Sequence, residues 1–126
     1  MTPGSYPLVI YRGDSYHWRF TLWGDAAKLM PINLTNVTPK AELRSGPGGT
    51  LITTMTLTVE LPNTIHADLP AASSALLTAA GGAWDLQLTY TNGDVQTVLA
   101  GAVAVTMDVT DSAAVLGTRS VVRLAG

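Results

Sequence analysis

Alternation of apolar and polar side chains is the strongest signal along the chain. From residue 15 to 22 the even positions are Tyr16, Trp18, Phe20 and Leu22, and the odd ones are Ser15, His17, Arg19 and Thr21. Successive side chains of a strand point to opposite faces, so this segment reads as a β-strand with one buried and one wet face. Residues 51–61 repeat the pattern over a longer run. Leu51, Thr53, Met55, Leu57, Val59 and Leu61 share one parity; Ile52, Thr54, Thr56, Thr58 and Glu60 share the other. A run of that length is expected to carry a bulge. Shorter strands are expected at 8–11, 40–44 and 64–69.

A hairpin is the most sharply specified unit. Asn92-Gly93 separates two alternating runs, and Asn-Gly suits a two-residue type I′ turn, whose central residues both need φ > 0. That turn sets Thr91 opposite Asp94, Tyr90 opposite Val95, Leu88 opposite Thr97, Leu86 opposite Leu99 and Trp84 opposite Gly101. The apolar members then share one face, as a half-buried hairpin requires. Val103, Val105, Met107 and Val109 keep the parity, so the second strand is expected to be long and to bend at Gly101. Pro70, followed by Ala71-Ala72-Ser73-Ser74-Ala75-Leu76-Leu77-Thr78-Ala79-Ala80, predicts one short helix with proline at its first position, ended by Gly81-Gly82. Residues 24–39 carry little pattern and read as a loop. Ser45-Gly46-Pro47-Gly48-Gly49 reads as a turn.

Together these elements predict an all-β fold, an antiparallel immunoglobulin-like β-sandwich of about seven strands with one short helix. The expected organisation is an extended N-terminal arm at 1–7, the sandwich at 8–111, and a C-terminal arm or added edge strand at 112–126.

Composition narrows the function classes. Hydrophobic residues are 47% of the 126-residue chain and charged residues 13%, which excludes a disordered polar chain. A net charge of −2 argues against binding nucleic acid by neutralising phosphates. With no cysteine, disulfide frameworks, zinc ribbons and thiol chemistry are excluded. No apolar stretch is long enough for a membrane span, and the first residues lack the pattern of a secretion signal. No nucleic acid, membrane or cofactor is therefore expected.

Candidate chemistry is sparse. His17 and His66 lie on the polar parity of their strands, with Arg19 and Asp68. A shared His/His/Asp site would suit a metal or proton transfer. Solvated outer-face residues are the plainer reading, because two histidines without cysteine give too few ligands for a closed zinc site. There is no Gly-x-Ser-x-Gly elbow and no calcium-loop spacing, so no catalytic, cofactor or metal residue is assigned and a non-enzyme is expected. Arg12-Gly13-Asp14 matches an adhesion tripeptide but stands where a tight turn would feed the next strand. Trp23 follows Leu22 on the polar parity, which makes it an expected exposed contact residue. In 112–126, Val115, Leu116, Val121, Val122 and Leu124, with Arg119 and Arg123 at the rim, are too apolar for a solvated tail and are the other candidate interface residues.

The order of motifs carries one resemblance. Ile10-Tyr11-Arg12-Gly13-Asp14-Ser15 enters an aromatic strand. Ile32-Asn33-Leu34-Thr35-Asn36-Val37 precedes Ala41-Glu42-Leu43-Arg44. A short helix follows Leu69-Pro70, and Trp84-Asp85-Leu86-Gln87-Leu88, Asn92-Gly93-Asp94 and Met107-Asp108-Val109-Thr110 close the unit. Over about residues 8–111 this resembles the small β-sandwich domain of tailed-phage virion proteins, the kind named for long tail fibre protein C. It is also similar to the N-terminal domains of upper baseplate proteins. The resemblance implies a non-enzymatic structural accessory protein of a virion, made in the host cytoplasm. It would dock on the head shell, as a capsid decoration protein does, or on the tail and baseplate. Its partners would be major capsid or tail/baseplate proteins, and it would be a homo-oligomer or present in many copies. The alternative is a receptor- or carbohydrate-binding module, which a cluster of exposed aromatic rings would favour.

Overall fold

The computed structural model describes residues 3–107. The candidate interface residues Val115, Leu116, Arg119, Val121, Val122, Arg123 and Leu124 lie outside the described residues. The elements are β1 (Gly4–Ser5), β2 (Leu8–Tyr11), β3 (Tyr16–Thr21), β4 (Thr38–Arg44), β5 (Leu51–Thr54), β6 (Thr56–Glu60), β7 (Thr64–Leu69), α1 (Ala71–Ser74), β8 (Gly82–Thr89) and β9 (Val95–Thr106). One sheet runs β1-β9-β8-β4-β5, with β2 also on β9; the other runs β3-β7-β6. Setting β4, β8 and β9 in one sheet and β3 and β7 in the other is the partition of an immunoglobulin-like sandwich.

The alternating runs explain the two layers. Trp18, Phe20 and Leu22 from β3 and its end, and Ile65, Ala67 and Leu69 from β7, face Ala41, Leu43, Trp84, Leu86 and Leu88 from the larger sheet. All are buried. The opposite parity of β3, His17, Arg19 and Thr21, is exposed. Burial of a large aliphatic side chain is worth roughly 1.5–3 kcal/mol, so a one-residue slip of any central strand would be heavily penalised.

The run expected as one strand at 51–61 divides in two, and the arm expected at 1–7 contributes a short strand of its own. The run at 51–61 changes sheet: β5 pairs with β4 and β6 pairs with β7. Met55 is the pivot, buried, with its N–H on the Ala41 carbonyl at 3.2 Å. The expected bulge is also present, between Leu43 and Arg44 on the partner strand, where Arg44 meets Leu51 and Ile52 is left over. It turns Leu51 outward while Ile52 packs against the core.

The extended N-terminal segment is the second case. β1 and β2 pair with β9 in parallel and in one continuous register, Gly4 with Leu99 and Leu8 with Val103. They are interrupted at Tyr6 and Pro7, opposite Gly101. The Tyr6 ring packs edge-on against Phe20 at 5.3 Å and Trp84 at 6.5 Å. Within the described residues the extended segment is therefore an edge of the sheet.

The hairpin departs from expectation near its turn. Trp84 meets Gly101 and Leu86 meets Leu99, as expected, but Leu88 meets Gln96 and Thr89 meets Val95. Only Gly93 of the turn has positive φ, at 93°. The Gly93 N–H reaches the Tyr90 carbonyl at 2.9 Å, and the Tyr90 N–H reaches the Asp94 carbonyl at 2.8 Å. This is a three-residue connection with a glycine bulge, not a type I′ turn. A bulge in β9 at Val98 restores the outer register and places Val98 in the core.

The helix is shorter than the alanine run predicts. It spans Ala71–Ser74, with Pro70 as an extended N-cap at φ −64° and ψ 156°. The chain leaves the helix so that Leu77 can enter the core, where it is 1% exposed. That burial outweighs the weak helix preference of a run too short to be stable alone.

Candidate interaction surface

The loop between β3 and β4 opens at Trp23. Leu22 and Gly24 pair with Ile32 and Met30 through backbone bonds of 3.1 Å and 2.7 Å, and Trp23 bridges to Pro31. Asn63 fixes the base: its side-chain amide donates to the Leu22 carbonyl at 2.9 Å. Leu34, 1% exposed, anchors the far side. The tip is organised by Asp25, whose carboxylate accepts the N–H groups of Leu29 at 3.0 Å and Met30 at 2.9 Å. Lys28 takes φ 59° to make that turn. Leu29 and Met30 are thereby held outward, 78% and 66% exposed.

The expected contact residue Trp23 sits at the base of this tip but is half-buried, which corrects the expectation of an exposed ring. Trp23 lines a hollow of about 420 Å³ with Lys28, Arg19, Thr21, Tyr6 and Leu99. Leu29 and Met30 were not singled out from the sequence. Their signal is two adjacent large apolar residues four and five positions after an aspartate.

The outer face of the larger sheet holds a second hollow. Its volume is about 560 Å³, with Ala83, Ala100 and Ala102 on its floor and Glu42, Arg44 and Asp85 among its walls. Glu42 takes Arg44 at 2.8 Å and Lys40 at 3.2 Å. Those hydrogen bonds, the Arg44 one first, hold its carboxyl below the usual carboxylate range. Asp85, opposite Glu42 in the register, is pushed up by burial and then by the Glu42 charge.

The Arg12-Gly13-Asp14 segment is a closed turn. Gly13 has φ 89°, and its N–H donates to the Ser74 hydroxyl at 2.9 Å. That hydroxyl donates to the Asp14 carbonyl at 2.7 Å. Arg12 Nε donates to the Leu77 carbonyl at 3.1 Å, and Asp14 is 8% exposed. An adhesion loop presents its acid to solvent; this one is folded against α1.

The structure brings His17 and His66 together. Their rings lie 5.4 Å apart at 26° on the outer face of the smaller sheet, with His17 Nε2 and His66 Nδ1 separated by 3.3 Å. Asp68 meets His17 Nδ1 at 2.5 Å, and Glu60 meets His66 Nε2 at 2.6 Å. Glu60 joins a set the sequence offered as His17, His66 and Asp68, because it lies two strands from His17 and only the register of β6 on β7 places it there.

No known protein family matches the chain, and no curated protein does. Solved structures align with the chain at low identity. The heterodimer of the first immunoglobulin domains of ZIG-8 and RIG-5 aligns at 10% identity and a TM-score of 0.40, over 82% of this chain and 84% of that one. The titin domains z1z2 in complex with telethonin align at 16% identity and a TM-score of 0.44, over 84% of this chain and 46% of theirs. The first immunoglobulin-like domain of human CD48 aligns at 6% identity and a TM-score of 0.39, over 94% and 95%.

Proposed function

We propose that this chain is a non-enzymatic structural accessory protein of a tailed-phage particle, docking on the head shell or on the tail and baseplate. The order of its turn and strand motifs supports the virion assignment. The observation that carries the docking mode is the tip: Leu29 and Met30 stand in solvent on a loop whose backbone Asp25 has already ordered. Ordering a loop on binding costs affinity, and a pre-ordered apolar tip avoids that cost. Large exposed side chains of this kind mark protein contacts more often than isolated surface leucines do. Recognition of sugars would call for exposed flat rings. Among the described residues Tyr11, at 50%, is the most exposed of the Phe, Trp and Tyr side chains, and no cluster of such exposed rings is present.

The test is the double variant Leu29→Ser, Met30→Ser, co-sedimented with purified particles lacking the protein. Because both side chains are exposed, the melting temperature should stay within a degree or two of the parent. Binding to particles should fall at least tenfold. A double variant that decorates particles as the parent does would refute the tip as the docking element. A parent protein that binds no virion component would refute the virion reading itself.

A further inference from the structure

We propose that His17 and His66 form a bidentate, exchangeable site for a borderline divalent cation such as Zn²⁺ on the outer face of the smaller sheet. The sequence argues against a closed zinc site, and the geometry describes a different thing, an open one. Each imidazole has its outer nitrogen on a carboxylate: His17 Nδ1 on Asp68 and His66 Nε2 on Glu60. An ionised carboxylate only accepts, so each of those nitrogens carries the ring hydrogen. The remaining nitrogens, His17 Nε2 and His66 Nδ1, then present lone pairs to each other across 3.3 Å. Two lone pairs at that distance repel unless a cation stands between them. A tetrahedral ion with His bonds of about 2.0–2.1 Å holds its nitrogens roughly 3.3–3.4 Å apart, so the pair is already at ligand spacing.

The second ring nitrogen supports the same reading. Metal-binding histidines almost always give their other N–H to a carboxylate or carbonyl, which fixes the tautomer and raises basicity. Both rings have that partner here, on a rigid frame: His17 is opposite Asp68 and Arg19 is opposite His66 in the β3–β7 register. The charged and titratable groups facing the pair are Asp68 from β7, Glu60 from β6 and Arg19 from β3. Two carboxylates against one guanidinium leave the site net negative, which favours a divalent cation. Among the described residues no group of three or more His, Cys, Asp or Glu side chains is placed to hold a metal. The ion would therefore keep its other positions for water or for a ligand brought by a partner surface.

The experiment is calorimetric titration of the full chain with Zn²⁺ in a non-coordinating buffer at pH 7.5, with histidine ring signals followed by NMR. The expected result is one equivalent bound and shifts confined to the two rings. His17→Gln and His66→Gln should each weaken binding at least tenfold, and Asp68→Asn about tenfold through the ring it orients. Melting temperatures without metal verify that the three variants fold. Unchanged affinity in both histidine variants would overturn the assignment, since the ion would then sit elsewhere. So would the absence of uptake by the parent at millimolar Zn²⁺.

Discussion

Replacing Gly101 with alanine tests the joint between the first strands and the last. A Cβ at this position would lie 2.5 Å from the Tyr6 carbonyl oxygen, 2.7 Å from its carbon and 3.0 Å from Pro7 N. Carbon contacts are comfortable only at about 3.5–4.0 Å, so the backbone of residues 6–7 must retreat by roughly 1 Å. That carbonyl also accepts the Trp84 indole N–H at 2.7 Å, and Trp84 is 3% exposed. Overpacking of this kind costs about 1–3 kcal/mol, and stranding a buried N–H costs about 1–3 kcal/mol. Against these stands a gain of about 0.4–1 kcal/mol from restricting the unfolded chain. The net expectation is a loss of about 2–4 kcal/mol, a shift of about 1–2 M in the urea midpoint. Gly46→Ala is the control: nothing lies within 4 Å of its Cβ and its φ is not positive, so its midpoint should move by less than about 0.3 M. If Gly101→Ala unfolds at the midpoint of this control, the close approach of Tyr6 to β9 is wrong.

Three further outcomes follow from the same packing. Trp84→Ala should cost about 3–5 kcal/mol by denaturation, because the ring is buried and stacked on Phe20 at 5.7 Å; a loss under about 1 kcal/mol would place the ring outside the core. Gly93→Val should cost about 1–2 kcal/mol from backbone strain alone, since φ is 93° and nothing crowds the site; a neutral result would mean that the turn does not need a left-handed residue. Asp85→Asn should raise the melting temperature at pH 8 and lose that advantage at pH 3. The Asp85 carboxyl is pushed up by burial and by Glu42, so the folded state disfavours its ionised form, and the penalty disappears once the group is protonated in both states. A lower melting temperature at pH 8 would show that the ionised form is held by a favourable contact instead.

The strands were legible wherever one face is buried and the other wet. β3 was readable residue by residue because Trp18 and Phe20 are buried while His17, Arg19 and Thr21 are exposed. The sheet-changing run at 51–61 was readable as strand but not as two strands. Its parity is continuous, and the change at Met55 is set by which neighbour supplies hydrogen bonds, Ala41 on one side and β7 on the other. The hairpin shows the same division. The pairing of Trp84 with Gly101 followed from counting outward from the turn, yet the count assumed a two-residue loop. The three-residue loop and the Val98 bulge are compensating one-residue errors, so the far register survives while the near one shifts. Alternation constrains parity, and two bulges that cancel leave parity unchanged.

The candidate sites were legible in proportion to how local they are. Trp23 was found because it breaks the parity of its own strand, but its backbone partner is Pro31, eight residues away in the chain and paired across a loop without pattern. Asp25 organises the tip through backbone N–H groups four and five residues on, a bond that any residue at positions 29 and 30 could supply. The adjacent pair Leu29-Met30 after Asp25 is visible in the sequence, but that both side chains are held in solvent is not. The histidine pair is the opposite case. Both rings were visible as outward residues of neighbouring strands, and a single register, Arg19 opposite His66, brings them together. Parity gives the face of a sheet and register gives the neighbour on that face. A paired site across strands needs both, and only the first is written in the spacing of residues along one strand.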